Sequence, residues 1–118
     1  MARVVLFIPD LLFGSNVFGS LQAAGHDPVL VGAPDALERE LPGADALVVD
    51  LTADAGERIE AVGAIAGGAG VNTLAFYSHV EVDVRAQAEQ AGFDVVVPRS
   101  RVAREGPALI DRLLARSA

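Results

Sequence analysis

The chain contains no cysteine and no lysine; all nine of its basic residues are arginine. The first absence excludes disulfides, thiolate metal sites and cysteine nucleophiles together. The second removes the compact ammonium that normally completes the charge balance around an aspartyl phosphate. Aromatic residues are scarce at 5%, so any core must be built from Val, Leu, Ile and Ala. Long apolar runs are missing as well: the run from Val4 to Ile8 stops at Pro9-Asp10, far short of a membrane span or a signal-peptide core. No membrane role is expected, and the expected location is the cytoplasm. A net charge of −7 disfavours nucleic acid as a partner.

That charge is uneven. The last twenty residues carry Arg99, Arg101, Arg104, Arg112 and Arg116 against Glu105 and Asp111, a balance of +3 beside −10 for the first 98 residues. A basic tail on an acidic body suits head-to-tail contacts or an acidic partner, and equally a solvated terminal helix.

At 118 residues and 52% hydrophobic content, without low-complexity tracts, the chain reads as one domain over residues 1–118 with a single sizeable core. Five apolar runs recur at spacings of about 20 residues: Arg3–Ile8, Pro28–Val31, Ala46–Asp50, Thr73–Tyr77 and Asp94–Val97. A helical pattern follows each, the signature of an alternating parallel α/β domain. The first and third runs suit central strands, and the short second run, opening at Pro28, suits an edge. Ser15 or Asn16 is expected to cap the first helix, with Val17, Leu21 and Ala24 on one stripe and Gly25 ending it. A second helix is expected around Asp35–Leu41. Ile59, Val62 and Ala66 mark a third, weakened by its glycines; Val84, Ala88 and Ala91 mark a fourth; and Leu109 and Leu113 mark a fifth, with Pro107 in its first turn. The strand order 2-1-3-4-5 of flavodoxin-like doubly wound sheets fits this pattern, and in such sheets ligands bind beyond the carboxyl ends of the strands.

Four strands deliver polar groups to that rim: Asp10 after the first, Asp50 ending the third, Ser78 and His79 after the fourth, and Arg99 after the fifth. Asp10 and Asp50 together can hold Mg²⁺, with the backbone carbonyl of Thr52 as a further ligand. Ser78 can donate to a phosphoryl oxygen and Arg99 can pair with it. Polar residues also end strands without any function. Ser78-His79 lacks a nucleophile elbow, and His26 lies at the opposite end of the sheet from His79, so the histidines do not form a shared metal site. The segment Phe13–Ser20 matches neither a dinucleotide fingerprint nor a phosphate-binding loop, although a helix N-terminus there can receive a phosphate. The cluster Gly67-Gly68-Ala69-Gly70 reads as a turn at the wrong edge. Leu11-Leu12-Phe13 places large apolar residues in what is expected to be a loop: it either folds over the sheet or offers a partner a surface.

These residues resemble the receiver domains of bacterial response regulators, the fold of the chemotaxis receiver protein, over almost the whole chain. The segments Asp10–Val17, Ser78-His79-Val80 and Val97-Pro98-Arg99-Ser100-Arg101 look like a divergent branch of stand-alone pseudo-receivers. The resemblance implies that Asp50 matches the phospho-acceptor, Asp10 the second residue of the acidic pair, and Ser78, or Tyr77 on another count, the switch hydroxyl. Pro9 stands where the first acid belongs, Arg99 lies nearest the lysine position, and Val96 lies near the aromatic switch position. The function so implied is a two-component-type signalling or adaptor module without turnover of its own, acting on a protein partner or as a homodimer through Leu11, Leu12, Phe13, His79 and Arg101. The alternatives are a Mg²⁺-dependent phospho-accepting receiver and a small flavodoxin-like nucleotide binder or enzyme.

Overall fold

The computed structural model describes residues 2–67, 69–78 and 82–116, without the side chain of Val82. Ten elements alternate along it: β1 (Arg3–Phe7), α1 (Leu11–Ala23), β2 (Asp27–Val31), α2 (Pro34–Glu40), β3 (Ala46–Asp50), α3 (Ala55–Ala66), β4 (Asn72–Tyr77), α4 (Val82–Ala91), β5 (Val95–Pro98) and α5 (Arg99–Ala115). The strands form one sheet in the order β2-β1-β3-β4-β5, as the sequence pattern predicts, and every pairing is parallel. β1 and β3 lie inside the sheet and are apolar nearly throughout; β2, which carries Pro28, forms an edge.

Side-chain alternation along the strands splits the core between two faces. Val4, Leu6, Ile8, Val48, Leu74 and Phe76 pack with Val17 and Leu21 of α1 and Leu109 and Leu113 of α5. Val5, Phe7, Leu47, Val49, Ala75 and Tyr77 pack on the other face with Leu37 of α2, Val62 of α3, and Val84 and Ala88 of α4. Helices on both faces explain why the central strands show no polar alternation.

Two helix starts differ from the sequence expectation. α1 begins at Leu11, capped by Asp10, whose Oδ1 accepts from the Phe13 N–H at 3.1 Å. Ser15 and Asn16 therefore lie inside the helix. Leu11-Leu12-Phe13 forms its first turn, not a loop: Phe13 turns into the core, while Leu11 and Leu12 are 74% and 77% exposed. The carboxylate one residue past Pro9 offers a cap earlier than either Ser15 or Asn16, and the apolar residues after it hide that start. Gly14 explains how the turn fits, because a Cβ there would stand 2.8 Å from Leu30 Cδ1 and 3.4 Å from Ile8 Cγ2.

α5 begins at Arg99, well before Pro107. The helix breaks at Glu105 (φ −130°, ψ 21°), and Pro107 falls in the first turn of the segment beyond the break. Proline lacks the N–H that would bond the preceding turn, and its ring crowds that turn, which accounts for the kink.

Candidate functional site

The carboxyl ends of β1, β3, β4 and β5 bring Asp10, Asp50, Ser78 and Arg99 to one rim of the sheet. Asp50 ends β3 opposite Phe76 of β4 and is 2% exposed. Its Oδ1 accepts from the Thr52 N–H at 2.8 Å and from the Thr52 hydroxyl. Thr52 thus meets the carboxylate through its donors. Oδ2 faces Arg58 Nη1 at 3.6 Å, and the same nitrogen donates to the Asp50 carbonyl at 2.9 Å. Arg58 also approaches Asp54, with Nη2 at 4.0 Å from Oδ2.

Asp10 is engaged differently. One oxygen caps α1, and the other lies 3.6 Å from Arg99 Nη2. The Arg99 guanidinium sits over the Phe13 ring at 4.2 Å, a cation–π contact, and Phe13 packs against Phe76 with ring centroids 5.2 Å apart. Arg99 is therefore drawn to the Asp10 and Phe13 side of the rim. Its partner is Asp10, whereas the cation beside Asp50 is Arg58. Sequence reasoning missed Arg58. Its spacing from Asp50 carries no motif, and it reaches back across a short β3–α3 connection that includes the left-handed residue Asp54 (φ 49°).

Ser78 is half-buried just beyond β4, and His79 lies outside the described residues. Arg101 reaches Glu105 at 3.4 Å, joined there by Arg104 at 3.5 Å and Arg112 at 4.0 Å. Partial burial pushes the Glu105 carboxyl up, but the charges and hydrogen bonds of Arg101 and Arg104 outweigh this and leave it below its ordinary value. His26, near the opposite end of the sheet, pairs with Asp111 of α5 at 3.1 Å.

A divalent cation at this rim would compete with donors already in place. Both oxygens of Asp10 and both of Asp50 already face donors, two of which are guanidiniums that an incoming ion would have to displace. Among the described residues no group of three or more His, Cys, Asp or Glu side chains is placed to share a metal ion. Phe13–Ser20 lies within α1, and the helix start where a phosphate could sit already carries the Asp10 carboxylate. A cleft of about 390 Å³ lies at the other edge of the sheet, between the ends of α3 and α4, and none of the rim residues lines it. Among the described residues no helix is long and apolar enough to cross a membrane.

A five-stranded parallel sheet wound 2-1-3-4-5 with helices packed on both faces is a flavodoxin-like fold of the receiver-like kind. Solved structures agree. The chain is similar to a receiver domain of a Francisella response regulator (TM-score 0.83, 11% identity, 100% of each chain covered). It is also similar to the receiver domain of the TMAO respiratory system response regulator TorR (TM-score 0.86, 14% identity, 98% of each chain). A response regulator from Thermotoga maritima matches over 98% of each chain with a TM-score of 0.80 and 12% identity. At such identities the likeness is one of fold. No protein-family model and no curated protein matches the sequence.

Proposed function

We propose that this chain is a receiver-like signalling module that acts through protein contacts and does not use orthodox phosphotransfer at Asp50. The observation that carries this reading is the state of Asp50: buried, with one oxygen held by Thr52 and the other beside Arg58. A phospho-accepting carboxylate needs an open oxygen and a divalent ion, and normally a compact cation at the phosphoryl group. Here the first two compete with Arg58, and the chain has no lysine for the third. Contact surfaces are supplied by the exposed Leu11 and Leu12 on the rim and by Arg99 and Arg101 at the start of α5. The partner is a protein or a second copy of the chain; the net charge of −7 argues against nucleic acid.

The position of Asp50 at the end of β3 favours a second reading, a Mg²⁺-dependent phospho-accepting module. Incubation with Mg²⁺ and either an acyl phosphate or beryllofluoride separates the two, read by intact mass and backbone amide spectra. The contact reading expects no adduct and no spectral change. An adduct that vanishes in Asp50→Asn would overturn it.

A further inference from the structure

Helix α3 is tied to β3 at its start by Arg58 and packs on the sheet farther along through Val62 and Ala66. At its start, Arg58 bonds the Asp50 carbonyl at 2.9 Å and faces Asp50 Oδ2 at 3.6 Å, with its side chain only 15% exposed. Asp54, the N-cap residue, is left-handed and makes no side-chain capping bond, while Ala55 and Ile59 of the first turns pack partly buried against the core. Beyond the first turns, clefts flank the helix on both sides. One of about 390 Å³, toward α4, is lined by Val62, Gly63, Ala66 and Gly67; another of about 180 Å³, toward α2, is lined by Ile65. Gly56 and Gly63 lie on the exposed face of the helix, where a Cβ built at either meets nothing within 4 Å, and both lower its intrinsic stability.

We propose that Arg58 is a positioning residue, an internal cation that seats α3 against β3 through Asp50, so that the charge on Asp50 sets how firmly α3 is held. The proposal deepens the reading above and rests on it, because it takes the pocket's cation to be one the chain itself supplies. Removing one partner of a largely buried carboxylate–guanidinium pair is costly, because the other is left without its counter-charge. The Arg58–Asp50 contacts tie the first turn of α3 to the end of β3, so weakening them removes a tie at that end of the helix. A group that engages or neutralises Asp50 therefore loosens α3 first, and the α1 and α5 side of the sheet keeps its packing.

Hydrogen exchange on the intact chain, read by mass spectrometry, tests this with Arg58→Gln, Asp50→Asn, the double variant and Arg58→Lys. The expected result is about tenfold or greater acceleration of amides in residues 59–67 in both the Arg58→Gln and Asp50→Asn variants, no further rise in the double variant, and unchanged α1 and α5 amides. Arg58→Lys keeps the charge without the planar fork and should restore part of the protection. If Arg58→Gln fails to fold, Asp50→Asn and Arg58→Lys carry the test. Unchanged α3 exchange, a uniform rise over all elements, or full additivity in the double variant would overturn the proposal. An acyl-phosphate adduct on Asp50 combined with the expected α3 response would remove the contact-only reading and keep the seating role. No adduct combined with an unresponsive α3 would do the reverse.

Discussion

Arg58 and Asp50 are paired twice, once through the carboxylate at 3.6 Å and once through the Asp50 backbone carbonyl at 2.9 Å. This makes Arg58 part of the strand end as well as its counter-ion. Truncation to Arg58→Ala leaves a buried carboxylate without its cation, at an expected cost of about 3 kcal/mol in urea denaturation. Asp50→Asn should cost less, because the freed guanidinium is nearer solvent than the carboxylate it leaves. The double variant Asp50→Asn/Arg58→Ala should fall short of the summed losses by about 1 kcal/mol or more. Simple additivity would mean that the pair contributes nothing as a pair.

Asp10 separates a capping role from an ion-pairing role. Asp10→Ala removes the acceptor for the Phe13 N–H and should cost about 1 kcal/mol. Asp10→Asn keeps an acceptor and loses only the half-exposed pair with Arg99, so its cost should stay within about 0.5 kcal/mol. Equal losses in the two variants, measured by denaturation, would assign the larger role to the Arg99 pair.

The first turn of α1 gives a sharp contrast between neighbours. Phe13 is 8% exposed and lies between Phe76 and the Arg99 guanidinium, so Phe13→Ala should cost about 3 kcal/mol. Leu12 is 77% exposed, and Leu12→Gln should change stability by no more than about 0.5 kcal/mol. If Leu12 serves contact and not packing, the same variant should lower self-association or partner capture while the melting temperature holds.

Glu105 supplies a pH dependence. Its carboxyl lies below its ordinary value in the folded chain because Arg101 and Arg104 more than offset the effect of burial. The unfolded chain then binds the proton more readily than the folded one, so the stabilisation is fully present above the ordinary glutamate value and is lost as pH falls through the lowered one. Glu105→Gln should accordingly be less stable than the parent at neutral pH, with the difference shrinking in acid. A difference that stays constant across that window would place its cause in packing at the kink.

The strand framework was legible because fully covered parallel strands write themselves as short apolar runs: Ala46–Asp50 matches β3 residue for residue. The position of Asp50 followed from that run alone. Helix starts were less legible. Asp10 caps α1, but Leu11 and Leu12 behind it imitate a sticky loop, and Pro107 imitates a helix start because it opens the second half of a kinked helix. Arg58 was illegible for a different reason. Its meeting with Asp50 is made by a long side chain crossing a short connection that includes left-handed Asp54, and neither feature leaves a periodic trace.

The glycines of α3 bring the composition back to energetics, because two of them should respond to the same substitution with opposite signs. Gly63 lies inside the helix with nothing within 4 Å of a built Cβ, so Gly63→Ala should gain roughly the helix-propensity difference, about 1 kcal/mol. Gly67 ends the helix, where a Cβ would collide with the carbonyl oxygen of Gly63, a backbone atom that cannot swing aside. Gly67→Ala should therefore destabilise, by about 1 kcal/mol or more. Urea denaturation of the two variants checks both signs. A loss at Gly63 would mean that α3 needs the space beside it, and that the cleft toward α4 is kept open at a cost in helix stability.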